Sequence, residues 1–288
     1  MNANNWRTAV LVTAAITLIA AGLASLATSR FAWGAPESPK AQCEALDATT
    51  LPPAVKNTFM RAYQARTAAA IVREPQNTWS NLAFVFVGAL VAAHDRRVFA
   101  RLLGAALIAL GLASGLYHAS LVMVWRTADV ATMAWVSFAL CCVGYTAARP
   151  NREENPRRDL IVGLVGAALA MTAAVFRNDV RVAGVKPFDT TYMTIAGISG
   201  VLLLVVLGLV RAARAQPGRP LPIIRLTLLG AIVAGAVFCQ LNDRLGRCLC
   251  APESPVQAHA VWHGLMAAAI ALAYDTFARI AGWATLRR

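Results

Sequence analysis

Charged side chains are scarce in this sequence. Only 14% of its 288 residues are Asp, Glu, Lys or Arg, where soluble domains carry roughly 25%. The shortage falls in blocks, several of them near or beyond the ~18–20 apolar residues that cross a bilayer. Lipid offers the backbone no hydrogen bonds, so such blocks must be helical. A soluble globular enzyme is excluded, and the pattern predicts an all-α polytopic membrane protein with room for one bundle.

Acidic residues are scarcer than basic ones, 14 against 27, for a net charge of +13. Such a balance suits nucleic acid, but the basic residues sit between apolar runs rather than along one face, which is the topology signal of a membrane protein. Nucleic-acid binding is therefore rejected. The chain also lacks an internal repeat, a low-complexity tract and the paired Gly/Pro-broken helices used by transporters.

The first apolar run covers residues 8–28, preceded by Arg7. It is long for a signal peptide and no clean cleavage site follows closely, so residues 1–33 read as a retained anchor in preference to a cleaved signal. Residues 34–75, rich in Pro, Ala and polar side chains, read as an exported lead-in. Residues 76–288 then hold seven further runs, near 79–95, 99–120, 127–148, 159–176, 190–210, 222–241 and 257–281.

The connections set the orientation. One side collects Arg96, Arg97, Arg101, Arg149, Arg152, Arg157, Arg158, Arg211, Arg214, Arg219, Arg225, Arg279, Arg287 and Arg288; the other has Arg126, Arg177, Arg181, Lys186, Arg244 and Arg247. Fourteen against six predicts that the first side is cytoplasmic, with the C-terminus inside. An Arg-rich, Lys-poor chain of this kind suggests a bacterial inner membrane, with the other side facing the periplasm.

Histidine is rare too, with four in the chain. A polar residue inside an apolar run marks a functional site by default. His118 ends the second core run, Asp129 opens the third, and His259 and His263 open the seventh. With alternating helices, all of these ends fall at the exported leaflet. His94 reads as a cytoplasmic loop residue. The i, i+4 spacing of His259 and His263 puts two imidazoles on one helix face. His118 supplies a third nitrogen, and three protein ligands with an open fourth position describe a catalytic zinc site. Ser114, four residues before His118, points to the same place. A lone membrane histidine more often hydrogen-bonds a neighbouring helix, but the pair shifts the balance towards metal. Bis-histidine haem needs rings facing across a plane, which one helix face does not provide.

These residues resemble the alkaline ceramidase family over nearly all of residues 74–270. Three separated motifs carry the likeness: Glu74, Asn77-Thr78 and Ser80-Asn81; Ser114, His118 and Asp129; and His259-Ala-Val-Trp262-His263. The resemblance implies a seven-helix bundle, zinc on His118, His259 and His263, and hydrolysis of the amide bond of a ceramide-like N-acyl lipid. In the catalysis it implies, Asp129 serves as general base and then acid, and Ser114 steadies the oxyanion. Receptor-like proteins share the superfamily, so a lipid-binding protein with zinc and no turnover is the alternative. The family also implies calcium, here with Glu44, Glu74 and Asn77 as candidate ligands, although only Cys43-Glu44 remains of the usual Asp-Trp-Cys-Glu segment. It further suggests a disulfide from Cys43 to Cys250, or to Cys248. Cys141, Cys142 and Cys239 fall inside apolar runs as inert buried residues. Trp125, Trp135 and Trp262 are candidates to line a lipid cleft, Trp125 reading better as an interface anchor.

Overall fold

The computed structural model describes residues 3–26, 72–149, 155–179, 207, 210, 214, 223–243, 248–249 and 254–283. Every described element is a helix: α1 (Ala3–Leu26), α2 (Pro75–Ser80), α3 (Leu82–His94), α4 (Val98–Ser120), α5 (Met123–Ala147), α6 (Pro156–Asp179), α7 (Ile223–Asn242) and α8 (Ala258–Ile280). Helices α4, α5, α7, α8 and residues 156–175 of α6 are long and apolar enough to span a membrane. The all-α polytopic expectation therefore stands. The expected run at 190–210 lies outside the described residues, apart from residues 207 and 210, as do Glu44 and Cys43.

The first core span differs from its expected form. It is built from two helices, α2 and α3, joined at Asn81, which itself holds a helical conformation (φ −66°, ψ −17°). Pro75 opens α2, where its missing N–H costs nothing. Asn81 spends its amide on the Asn77 carbonyl at 2.7 Å, inside the polar end of the bundle.

Helix α4 packs between α3 and α5, and α8 packs on α7 while also reaching α2, α3 and α5. Helix α6 lies on α5 and α4, and α1 lies on α3, with Trp6 against Phe86 at 5.1 Å between ring centroids. Small residues bring α3 and α4 together. A Cβ on Gly88 would sit 2.6 Å from the Gly104 carbonyl oxygen, so neither position accepts a side chain without the helices parting. Such close approach is how helices associate in lipid, where burying apolar surface gives no advantage over leaving it in the acyl chains.

The core runs through Phe84, Leu103, Leu107, Leu140, Val143, Ile270 and Phe277. Leu160, Ile161, Leu164 and Leu169 of α6, with Ile223, Ile224 and Leu228 of α7, are exposed. In water these would be liabilities; in a bilayer they are the surface that meets lipid. Within the apolar stretches Thr132, Ser137, Thr146 and Thr276 return their hydroxyls to the carbonyl four residues back, which removes an unpaired donor.

Candidate metal centre

The polar groups gather at one end of the bundle because three helix ends meet there. Helix α4 stops two residues after His118. Its cap is Leu121, buried and in the left-handed region at φ 52°. A residue with a Cβ is strained in that conformation, and here it is held by packing with Tyr117 and Trp125. Val122 then turns the chain directly into α5, so Asp129 lies within two turns of His118's end of the bundle.

The last carbonyls of α4 would be orphaned by this stop. The entry segment satisfies them: the backbone N–H of Arg73 donates to Ala119 O at 3.0 Å and that of Glu74 to His118 O at 3.1 Å. The Arg73 guanidinium also donates to the Ser120 carbonyl. This pairing lays Glu74 across the imidazole of His118.

His118, His259 and His263 come together as one buried group, with a ring nitrogen from each within 4.8 Å of the others. Ring centroids are 4.9 Å apart for His118 and His259, 5.2 Å for His118 and His263, and 4.6 Å for His259 and His263. The outward nitrogens have partners. His118 Nδ1 donates to Glu74 Oε2 at 2.5 Å. His263 Nδ1 lies 2.7 Å from Ser80 Oγ, whose own proton goes to Asn77 O at 2.9 Å, so the imidazole must be the donor. Both rings therefore turn Nε2 towards the centre. His259 stacks on Trp262 at 27°, and its Nδ1 is buried without a hydrogen-bond partner.

The three imidazoles fit zinc. Three neutral nitrogens, two of them fixed in tautomer by a carboxylate and a hydroxyl, reproduce the support usual behind a metal-bound histidine. A buried orphan nitrogen costs free energy unless something accepts its lone pair, and no thiolate closes the described group as a structural site would.

Ser114 and Asp129 join the same place. The Ser114 hydroxyl and the Arg126 charge both act on the Asp129 carboxylate. Both Ser114 and Asp129 line a cavity that also takes in His263 and Trp262. Trp135 packs against the core instead, with its indole Nε1 buried and unpaired. Trp125 packs on Tyr117 and Leu121 rather than on the cavity.

Of the residues expected for calcium, Glu74 and Asn77 lie together beside His118, and Glu44 lies outside the described residues. Asn77 Nδ2 donates to Glu74 Oε2 at 3.2 Å, the same oxygen that takes His118, so this part of the expected set serves the histidines. Among the described residues Glu74 Oε1 and Asn81 Oδ1 are buried oxygens there without a hydrogen-bond partner. Ser80 stands in the entry motif, but its role is not readable from the sequence; the pairing crosses from α2 to α8, which spacing along the chain does not reveal.

The alternative disulfide through Cys248 is not formed. Cys248 is a free, exposed thiol 3.3 Å from Asn242 Oδ1, and Cys141, Cys142 and Cys239 are free as well. Cys43 and Cys250 lie outside the described residues.

Among models of known families, the one described as Ceramidase matches residues 63–281. No match was found among curated proteins or among solved structures.

Proposed function

Because the chain belongs to the ceramidase family, we propose that it is a zinc-dependent hydrolase that cleaves the amide bond of ceramide or a similar N-acyl lipid. The observation that carries the reading is the three-histidine group, of which His263 shares an otherwise apolar cavity with Ser114 and Asp129.

His118, His259 and His263 would hold zinc, which would supply an activated water at neutral pH and a Lewis acid for the amide carbonyl. Asp129 takes one proton from the attacking water as the oxygen of that water bonds to the carbonyl carbon. It then hands the proton to the amide nitrogen as the C–N bond breaks, leaving a fatty acid and a free amine. Ser114 holds Asp129 in position for the first transfer. Once Asp129 carries the proton, the Ser114 hydroxyl is free to donate to the carbonyl oxygen, where negative charge has built up. Glu74 and Ser80 keep His118 and His263 in the tautomers that present Nε2. The apolar walls exclude bulk water from the acyl side.

All of these residues lie at the end of the bundle formed by α2 and the ends of α4, α5 and α8, which the arginine count puts on the exported side. The site is therefore read as facing the periplasm of a bacterial inner membrane, with the C-terminus in the cytoplasm. Metal analysis of the purified protein, paired with fatty-acid release from a panel of N-acyl lipids with and without chelator, tests the proposal. One zinc per chain and chelator-sensitive release are expected. Tight binding of the lipids with zinc present and no fatty acid released would instead make the chain a receptor-like protein.

A further inference from the structure

The cavity has a polar head and an apolar body. On α5 it runs from Asp129 to Leu140 and on α8 from Trp262 to Ala273, with Leu229 and Val233 of α7 at its side. Eleven positions on each helix give a depth of about 16 Å at ~1.5 Å per residue. Two helices thus report the same length independently. Between head and floor the only hydroxyl on the α5 wall, Ser137, already donates to Met133 O at 3.0 Å. That wall presents no free polar group to an occupant.

The floor has a specific cause. One turn beyond Leu140 stands Gly144, and one turn beyond Ala273 stands Phe277, which is 1% exposed. The Phe277 ring is seated on Gly144: a Cβ there would lie 2.9 Å from Phe277 Cζ. Neither residue lines the cavity. Helices α5 and α8 part to make the cavity and close again where this ring fills the notch.

We infer that Phe277, seated on Gly144, is a length stop that sets the acyl specificity of the site. An extended alkyl chain advances roughly 1.3 Å per carbon, so a cavity this deep holds about twelve carbons. This rests on the reading of the site as an N-acyl hydrolase, because the carbonyl is taken to sit at the histidine end. Chains up to that length bury every methylene. Longer ones must bend or leave their ends outside.

The test uses the full-length, zinc-loaded protein and two variants. Ala273→Phe puts a ring above the floor; Phe277→Ala removes the stop. Fatty-acid release is measured over N-acyl lipids of one headgroup and increasing saturated chain length. Binding of free saturated fatty acids of the same lengths is measured in parallel, by displacement of a fluorescent fatty acid. In the wild type, affinity should climb by up to about fourfold per added carbon and then level off near twelve. The plateau should move down by about four carbons in Ala273→Phe. It should move up by about four in Phe277→Ala, one helical turn of added depth. If Phe277→Ala fails to fold, Phe277→Leu should show a smaller upward shift. An unchanged plateau in the folded variants, or affinity that keeps rising past the limit in the wild type, overturns the length stop. Shifting plateaus in binding with no lipid hydrolysed would support the stop and count against the hydrolase. Absence of fatty-acid binding at every length would overturn the stop even if hydrolysis occurs.

Discussion

The two ends of the same helices treat buried polar groups in opposite ways. At the end away from the histidines Asp95 is 6% exposed and fully engaged. It accepts from Tyr274 Oη at 3.0 Å, from the Arg97 backbone at 2.9 Å and from the Arg97 guanidinium at 3.3 Å. Arg97 in turn lies over the Trp283 ring at 4.4 Å. Nearby, Asp275 binds Arg225 at 2.5 Å and Arg279 at 2.9 Å, tying α7 to α8. At the histidine end His259 Nδ1, Glu74 Oε1 and Trp262 Nε1 are buried with nothing to bond. Closed pairing makes a clamp that fixes how α3, α7 and α8 sit. Open valences make a site, because each orphan atom is a place where a ligand gains what the protein alone does not supply.

Substitutions at the two ends should separate these roles. The largest effect belongs to His259→Ala, which removes a metal nitrogen. Zinc content measured by atomic absorption should fall from one per chain to near zero, and fatty-acid release should drop to background. Zinc retained at full stoichiometry would remove His259 from the ligand set. Asp129→Asn comes next. It should keep its zinc and lose about 10²–10⁴-fold in turnover, the usual range for a positioned acid–base group. A near wild-type rate would contradict its role.

Glu74→Gln keeps the shape but weakens the bond that orients His118. Metal affinity, read by competition with a chelator, should fall about 10–100-fold while the fold survives. If affinity holds and only stability drops, Glu74 belongs with the clamp and the contrast between the two ends weakens. The smallest effect is expected at the clamp itself. Tyr274→Phe loses one hydrogen bond to a carboxylate that keeps Arg97, at a cost of about 1–2 kcal/mol. Thermal melting in detergent should shift down by a few degrees, with zinc content and turnover unchanged. A loss of activity larger than the loss of stability would show that the Asp95 end does more than hold the bundle.

Much of the site is legible in the sequence alone. The i, i+4 pair His259 and His263 follows from helix geometry, and Ser114 stands one turn before His118 on the same face. Their shared depth follows from counting alternating spans. The partners of the histidines are not legible, because Glu74 meets His118 and Ser80 meets His263 across different helices. Asp275 does carry a sequence signal: an acid inside an apolar run needs a partner, and Arg225 stands at the mouth of the preceding run.

Composition and periodicity determined that this chain lives in a bilayer as helices, since a backbone without water must bond to itself. They also determined which few residues could bear chemistry, since polar groups in such helices are too costly to keep without use. Only the packed structure decided which nitrogen each imidazole turns inward, and where the cavity ends. Both depend on contacts between residues far apart in the chain, such as Glu74 with His118 and Phe277 with Gly144, and local spacing carries no record of those.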